Sequence, residues 1–189
     1  MAVVLAAGLA RRMGRQKLLL ELEGRPLVRW AVEAVARHVD EVVVVTGGDD
    51  SPIREALRGL AVRFVRNPRP EDGQGSSIAV GIGALAAETR AALIVLGDQP
   101  RLPDGVVPAL LQAFTHGGKS IVAPLYRGTQ GTPVLFAAEV FGELLALGGD
   151  AGARGVVHAR PERVQAVPFD LPMPADVDTP EDYGRLHVQ

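Results

Sequence analysis

Short, almost wholly apolar runs of strand length recur along this chain and constrain its fold more than any other feature. Three of them are Ala2–Ala6, Glu41–Thr46 and Ala91–Leu96. Strands of this kind are typical of a parallel sheet that is buried on both faces. Segments with a helical spacing of apolar residues lie between them, such as Pro26–His38. This alternation predicts an α/β protein with three layers, α/β/α, and a mainly parallel sheet.

The remaining patterns extend the same order to the end of the chain. Further strands are predicted over Val62–Val65, Ser120–Pro124 and Val164–Pro168, and further helices from Ser51, over Gly75–Glu88, Asp104–Phe114 and Ala138–Leu147, and from Thr179. The glycine-rich segment Leu125–Phe136 breaks the rhythm and predicts a small excursion, such as a hairpin, near residues 125–136. A chain of 189 residues suits one core and is short for two, so we expect a single domain over residues 1–189.

Composition excludes several classes of function. The chain has no cysteine, so neither disulfides nor thiolate metal sites are available. A formal net charge of −2 argues against a general nucleic-acid binder. No apolar run approaches the roughly 18 residues that a membrane span needs, and the first apolar run is better interpreted as a strand than as a signal peptide. We therefore expect no membrane partner and a cytoplasmic location.

A loop of small residues and cations follows the first strand. The apolar run stops at Gly8, and Arg12 and Lys17 follow. Small residues let backbone N–H groups approach a ligand and form an anion-binding concavity, and the two cations add charge at its rim. The spacing to Gly14 fits neither the P-loop nor the dinucleotide fingerprint. We predict a polyphosphate cradle at the carboxyl end of the first strand, where open α/β sheets bind ligands. An ordinary solvated turn is the alternative.

Two carboxylates are candidates for a Mg²⁺ site beside this cradle. Asp98 follows the buried strand Ala91–Leu96, and Mg²⁺ is usually held by one or two carboxylates together with phosphate oxygens. The alternative is that Asp98 only caps the turn before the next helix. Asp176 is predicted to supply the second carboxylate in preference to Asp178, because Asp178 or Thr179 may serve only as the cap of the last helix.

These residues resemble a known signature. Leu5-Ala6-Ala7-Gly8, Arg12-Met13-Gly14 and Lys17 resemble the motif of nucleotidyltransferases that activate sugars and cofactors. More narrowly, the chain is similar to the molybdenum cofactor cytidylyltransferases, and the likeness continues at Asn67-Pro68, Gly75-Ser76-Ser77, Leu96-Gly97-Asp98-Gln99-Pro100, Gly131-Thr132-Pro133, Gly149-Asp150-Ala151-Gly152-Ala153-Arg154 and Asp176-Val177-Asp178-Thr179-Pro180. The first block indicates the superfamily, and only the ordered set indicates the branch.

The resemblance implies a fold and a reaction. The fold would be a Rossmann-like, GT-A-like nucleotidyltransferase fold. The reaction would be the Mg²⁺-dependent transfer of CMP from CTP to the molybdenum-pterin cofactor, with release of pyrophosphate. Ala7 favours CTP over GTP, because the guanylyl branch usually carries Leu-Ala-Gly-Gly where this chain has Leu-Ala-Ala-Gly. A molybdoenzyme or its chaperone is a possible further partner.

The resemblance also assigns roles to residues. Arg12, Lys17 and Asp98 would be catalytic, and Asp98 and Asp176 would hold the metal. The predicted nucleotide-binding set is Leu5, Ala6, Ala7, Gly8, Arg12, Lys17, Ser77 and Gly81, and the predicted acceptor-binding set is Gln130, Gly131, Pro133, Asp150 and Arg154. Simpler explanations stay open for three of these features: Ser77 as a helix cap, residues 125–136 as a plain crossover, and Arg154 as a surface ion pair with Asp150.

Three other functions stay open beside this one. The chain could transfer a guanylyl or cytidylyl group to another phosphorylated acceptor, such as a sugar, a polyol or an isoprenoid precursor. It could be an oxidoreductase or accessory protein that keeps the nucleotide fold. It could also be a non-catalytic chaperone that carries the pterin cofactor. Release of pyrophosphate separates the transferases from the other two.

Overall fold

The strands begin and end close to where the apolar runs predict. The computed structural model describes residues 1–8, 16–149 and 152–186. Within these residues the strands are β1 (Ala2–Ala6), β2 (Glu21–Leu22), β3 (Arg25–Pro26), β4 (Val42–Gly47), β5 (Val62–Asn67), β6 (Ala91–Leu96), β7 (Ile121–Tyr126), β8 (Thr129–Gln130), β9 (Val134–Ala137) and β10 (Val164–Phe169). The α-helices are α1 (Leu27–Ala36), α2 (Ser51–Ala56), α3 (Gln74–Gly83), α4 (Val106–Gly117), α5 (Phe141–Leu145), α6 (Arg154–Ala159) and α7 (Pro180–Leu186).

Short 3-10 helices connect some of these elements. They span Lys17–Leu19, Pro70–Asp72, Ala138–Val140 and Pro161–Arg163. The predicted helix Ala138–Leu147 is therefore divided into a 3-10 turn and the short α5. The prediction of a helix over Gly75–Glu88 was too long, because α3 ends at Gly83. The N–H groups of Ala84 and Leu85 bond three residues back, to Gly81 and Ile82, and these tight turns redirect the chain toward β6.

The main sheet is mostly parallel, as predicted. Its strand order is β10-β7-β9-β6-β1-β4-β5, with β8 on β7, and β2 and β3 form a separate two-stranded sheet. Strand β1 lies parallel to both β4 and β6, with Leu5 opposite Val45 and Leu96. The predicted excursion is a pair of antiparallel strands: β8 folds back on β7, and β9 inserts antiparallel between β6 and β7.

Helices cover both faces of the sheet, which confirms the predicted three-layer α/β/α class. Alternate side chains of β1 enter different cores, as the period of a strand requires. Ala2, Val4 and Ala6 pack in one core with residues of α1, α2 and α4, whereas Val3 and Leu5 pack in the other with residues of α3, α5 and α6. The carboxyl ends of the parallel strands β1, β4, β5 and β6 meet at one edge, where Ala7 and Gly97 begin loops and Asn67 ends β5.

No helix in the described parts of the chain is long and apolar enough to span a bilayer.

Candidate active site

Asp98 is carried to the carboxyl edge of the sheet by a close contact between β6 and β1. The backbone N–H of Gly97 donates to the carbonyl oxygen of Leu5 over 3.1 Å. A Cβ at Gly97 would lie 2.7 Å from that same oxygen, so only glycine fits without moving a strand. Strand pairing therefore fixes Asp98 beside the end of β1, as the sequence predicts.

Lys17 meets Asp98 at this edge and also meets a second carboxylate. Its Nζ donates to Asp98 Oδ2 at 2.6 Å and to Asp178 Oδ1 at 2.7 Å. The side chains of Lys17 and Asp98 are largely buried, at 16% and 18% exposure, whereas Asp178 is half exposed. Burial alone would lower the pKa of Lys17, but the charge of Asp98 and the hydrogen bonds to Asp178 and Asp98 outweigh it and raise the pKa. Lys17 is therefore held as an ammonium ion between two carboxylates.

Asp176 lies near the same charges. Desolvation, followed by the negative charge of Asp98, raises the pKa of Asp176, and the charge of Asp178 adds to the effect. A hydrogen bond from Gln99 and the charge of Lys17 oppose this rise. The three carboxylates thus carry more negative charge than the single ammonium of Lys17 neutralises.

Thr179, rather than Asp178, caps the last helix. The N–H and Oγ1 of Thr179 each lie 2.9 Å from Asp182 Oδ2, and the N–H of Asp182 returns a bond to Thr179 Oγ1 at 3.2 Å. This reciprocal arrangement resembles a capping box. The carboxylate of Asp178 is therefore not used as a cap and instead accepts a hydrogen bond from Lys17. The argument that favoured Asp176 over Asp178, namely that Asp178 serves as the helix cap, does not hold.

The buried amide of Gln99 joins the C-terminal segment to the excursion. Its Nε2 donates to Asp176 Oδ1 at 2.7 Å, and its Oε1 accepts from Thr132 Oγ1 at 2.5 Å. Gln99 is only 5% exposed. It therefore connects a predicted metal ligand with the segment that carries the predicted acceptor residues.

Ser77 sits in a buried polar cluster at the start of α3. Asn67, at the end of β5, donates through Nδ2 to Ser76 Oγ at 2.8 Å and to Ser77 Oγ at 3.0 Å. Ser76 in turn donates to the carbonyl oxygen of Gly73 at 2.8 Å. These bonds give both serines a structural role at the helix N-terminus. A nucleotide contact by Ser77 stays a prediction.

The other predicted nucleotide-binding residues divide into two groups. Leu5, Ala6 and Ala7 are buried in and after β1. Gly8 is exposed beyond its end, where an added Cβ would meet no atom of the described residues within 4 Å. Gly81 lies further along α3, and a Cβ there would lie 2.3 Å from Val3 Cγ1. Close packing of α3 on β1 therefore accounts for glycine at position 81, and its nucleotide contact stays a prediction.

The predicted acceptor residues occupy two places. Gln130 and Gly131 are partly buried in the excursion, and Pro133 is buried beside them. Gly131 is tied to β7 by its N–H, which donates to the carbonyl oxygen of Pro124 at 3.1 Å. Arg154 is exposed as the first residue of α6. The segment before α6 contacts the start of α3, because the N–H of Gly75 donates to the carbonyl oxygen of Gly149 at 2.9 Å.

Two predicted site residues, Arg12 and Asp150, lie outside the described residues. The acceptor-binding role of Arg154 therefore stays a prediction, and the alternative of an ion pair with Asp150 stays open.

Four polar residues of the site were not among the predicted site residues: Asn67, Gln99, Thr132 and Asp178. All four belong to the motifs on which the family resemblance rests, and this membership was the one indication in the sequence that they could belong to the site. Their partners are distant in sequence, as in the Lys17–Asp178 contact, and local pattern reasoning does not reveal such contacts.

The described residues contain no group of three or more His, Cys, Asp or Glu side chains already arranged to hold a metal ion. The oxygen donors nonetheless suit a hard cation, because Asp98, Asp176 and Asp178 are all carboxylates.

The strand order and the position of the site define a class of protein. Two solved structures have closely similar folds. Rv0371c from Mycobacterium tuberculosis H37Rv matches with a TM-score of 0.86 and 29% identity over 100% of this chain and 97% of that one. A nucleotidyl transferase from Methanothermobacter thermautotroptrophicus matches with a TM-score of 0.82 and 28% identity over 98% and 94% of the two chains. The fold is that of the Rossmann-like nucleotidyltransferases.

The sequence assigns the chain more narrowly. Residues 2–166 match the family described as the MobA-like NTP transferase domain, and the chain belongs to this family. A molybdenum cofactor guanylyltransferase from Rhodobacter capsulatus is 33% identical over 193 residues, which cover 97% of this chain and 92% of the relative. The structure of Rv0371c in complex with manganese also matches, with a TM-score of 0.82 and 29% identity over 98% of this chain and 96% of that one.

Proposed function

We propose that this member of the family transfers CMP from CTP to the molybdenum-pterin cofactor and releases pyrophosphate. The observation that carries the proposal is the contact between Lys17 and Asp98 at the end of β6, beside the exposed Gly8 at the end of β1. It places a cation and a carboxylate at the edge of the sheet where α/β proteins bind nucleotides.

The phosphate side of this site has open space as well as charge. No atom of the described residues lies within 4 Å of a Cβ built on Gly8, so none of these residues requires glycine there. A bound phosphate would explain why position 8 is glycine, because a side chain there would block its approach to the backbone. Lys17 is fully protonated at neutral pH and supplies a positive charge, and Arg12, in the same loop of the sequence, is proposed to supply another.

Asp98 is proposed to hold Mg²⁺ together with Asp176, and Asp178 is an alternative second ligand. The related Rv0371c has been crystallised with manganese, a divalent cation of similar preference for oxygen, which supports the binding of a divalent cation by this chain. When bound, such an ion acts as a Lewis acid and a template toward phosphate oxygens.

The chemistry asks for positioning and charge neutralisation. A phosphate on the acceptor is already an anionic nucleophile, so its attack on the α-phosphorus of the triphosphate needs no general base, and pyrophosphate leaves. Charge builds on phosphate oxygens during this exchange, and a preorganised ammonium such as that of Lys17 stabilises it. Asp98 and Asp178 keep the ammonium in place before the nucleotide arrives.

The donor base has two candidates. Ala7 is the residue that favours CTP, through the resemblance of Leu5-Ala6-Ala7-Gly8 to the cytidylyl branch. GTP is the second candidate, because a relative that aligns with 97% of the chain bears the name guanylyltransferase. Ala7 is only 6% exposed, so its effect would be through the shape of the backbone around it rather than through a large contact.

Pyrophosphate release measured with each nucleotide and each acceptor tests the proposal. We expect release with the molybdenum pterin and CTP, in a Mg²⁺-dependent manner. Preference for GTP would correct the donor, and release with a phosphorylated sugar or polyol instead would correct the acceptor. Nucleotide binding without release under any combination would overturn transferase activity and favour an accessory or carrier protein.

A further inference from the structure

Gln99 occupies a position at which every polar atom of its amide has a partner. Its Nε2 donates to Asp176 Oδ1 at 2.7 Å and to the carbonyl oxygen of Pro174 at 3.4 Å, and its Oε1 accepts from Thr132 Oγ1 at 2.5 Å. The residue is 5% exposed, so these partners replace water. A buried amide whose donors and acceptor are all used holds its orientation, because rotation would break several bonds at once.

The two ends of this amide reach different parts of the site. Asp176 belongs to the C-terminal segment that approaches Lys17 and Asp98, whereas Thr132 lies between β8 and β9 in the excursion that carries Gln130, Gly131 and Pro133. In the described structure, Gln99 therefore connects the carboxylate side of the site with the excursion through one side chain.

We propose that Gln99 is a positioning residue that fixes the Asp176 carboxylate for the cation and, through Thr132, fixes the excursion for the acceptor. The inference rests on the proposed function, because it gives the two sides of the site their ligands. Gln99 itself contacts neither reacting group. It acts by orienting a metal ligand, as outer hydrogen-bonding partners of metal ligands commonly do.

The chemistry of the position explains why glutamine rather than glutamate suits it. Asp176 needs a donor and Thr132 needs an acceptor, and a primary amide offers both on one planar group. A carboxylate at position 99 would keep the acceptor for Thr132 but would face Asp176 with a like charge. A leucine of similar size would remove both bonds.

The first part of the proposal, that Gln99 orients Asp176 for the cation, is tested by the affinity of the nucleotide-free protein for Mn²⁺. The electron paramagnetic resonance signal of the unbound ion measures this affinity. Gln99→Leu and the near-isosteric Gln99→Met, both neutral and unable to make either hydrogen bond, are each expected to weaken Mn²⁺ binding by about 10-fold or more, the usual range for outer partners of metal ligands. Gln112→Leu is the matched control, since Gln112 is an exposed glutamine on α4 and should leave the affinity unchanged.

Thr132→Val tests the second half without disturbing Asp176. It is expected to raise KM for the acceptor by about fivefold, the effect of one net hydrogen bond, while Mn²⁺ affinity stays within about twofold of the wild type. Thr132→Ser, which keeps the hydroxyl, should restore the acceptor KM. If Gln99 and Thr132 had only a structural role, their variants would lose thermal stability, but the Gln99 variants would not specifically lose Mn²⁺ affinity and Thr132→Val would not specifically raise the acceptor KM.

The outcomes distinguish this inference from the proposed function. Unchanged Mn²⁺ affinity in both Gln99 variants, or an unchanged acceptor KM in Thr132→Val, overturns the positioning role even if the wild type releases pyrophosphate. If the wild type releases none with any acceptor, the proposed function fails and the Mn²⁺ measurements alone decide the role of Gln99 toward Asp176. If Gln99→Leu does not fold, the near-isosteric Gln99→Met and the Thr132 pair supply the decision.

Discussion

The backbone N–H of Val177 donates to the carbonyl oxygen of Asp98 over 3.3 Å. This bond ties the C-terminal segment to the loop after β6, although the two residues are far apart in sequence. Val177 is fully buried in a small core with Leu20, Leu22, Leu27 and Leu186, which anchors the segment from the other side. Because Asp176 and Asp178 flank Val177, the single anchor brings both carboxylates toward Asp98.

Replacement of Asp98 by asparagine tests its role at the phosphates. We expect kcat/KM for pyrophosphate release to fall by at least about 100-fold, the scale for losing one preorganised charge-stabilising group. Asp104→Asn is the matched control, because the side chain of Asp104 is 85% exposed and pairs with Arg37 at the surface. Near-normal turnover in Asp98→Asn would refute the assignment.

Lys17→Met separates nucleotide use from cation binding. The variant loses the ammonium that we assign to the phosphates, so kcat/KM for the triphosphate should fall by about 100-fold. Its affinity for Mn²⁺ in the absence of nucleotide should rise, because Asp98 and Asp178 lose the cation that neutralises them. Lys119→Met is the control, since Lys119 is the chain's other lysine and bonds only the carbonyl oxygen of Glu162 among described partners. A fall in Mn²⁺ affinity together with unchanged nucleotide use would contradict this account.

The fold, and the part of the site formed by Gly8 and Asp98, could be predicted from the sequence. Continuous apolar runs identified β1 and β6 with their observed bounds, and the end of a buried strand placed Asp98 beside Gly8 because parallel pairing leaves little freedom. Contacts such as Lys17 with Asp178 arise from the path of the chain after β10, which has no local periodicity. The choice between Asp176 and Asp178 therefore could not be argued from pattern.

The sequence pattern also did not reveal the packing roles of two glycines or the end of helix α3. The sequence alone does not distinguish the roles of Gly81 and Gly97. The missing side chain at Gly81 makes room for Val3, whereas at Gly97 it makes room for the carbonyl oxygen of Leu5. The end of α3 at Gly83 depends on the return of the chain to β6, and the apolar residues beyond it still suggested a helix. Tertiary contacts decide such points, and intrinsic propensity does not.

The raised pKa of Asp176 predicts how stability changes with pH in protein free of metal. A carboxyl group with a raised folded-state pKa contributes stability that is fully present below the ordinary value of about 3.9 and is lost as the pH rises through the folded-state pKa. Asp176→Asn is neutral at every pH and escapes this loss. Its Tm relative to the wild type should therefore increase between pH 4 and pH 7, measured by thermal melts with a chelator present.

Asp182→Asn is the matched comparison because its sign is opposite. Hydrogen bonds from the side chain and backbone of Thr179 lower the pKa of Asp182, so its contribution is present at neutral pH and is lost on acidification. The Tm of this variant relative to the wild type should fall as the pH rises from about 2 to about 4 and should change little from there to pH 7. Parallel trends in the two variants would contradict the electrostatic description of Asp176.

Gly97→Ala tests the contact that places Asp98. A Cβ there would lie 2.7 Å from the Leu5 carbonyl oxygen, so β1 and β6 must separate. We expect a loss of about 1–3 kcal/mol in the free energy of unfolding, measured with urea, and a fall of about 100-fold in kcat from a displaced Asp98. Gly105→Ala should show neither effect, because a Cβ at Gly105 meets no atom of the described part of the chain within 4 Å. Wild-type stability and turnover in Gly97→Ala would show that the close contact is unimportant.

The central claim is that the triphosphate and its cation share the pocket of Lys17 and Asp98. The most direct measurement is a crystal structure with a non-hydrolysable CTP analogue and Mn²⁺, in which anomalous scattering locates the ion. The account predicts an anomalous peak coordinated by the Asp98 carboxylate, phosphate oxygens at the Gly8 loop, and Lys17 turned from Asp178 to the phosphates. A triphosphate bound away from this edge, or an ion that does not touch Asp98, would contradict it.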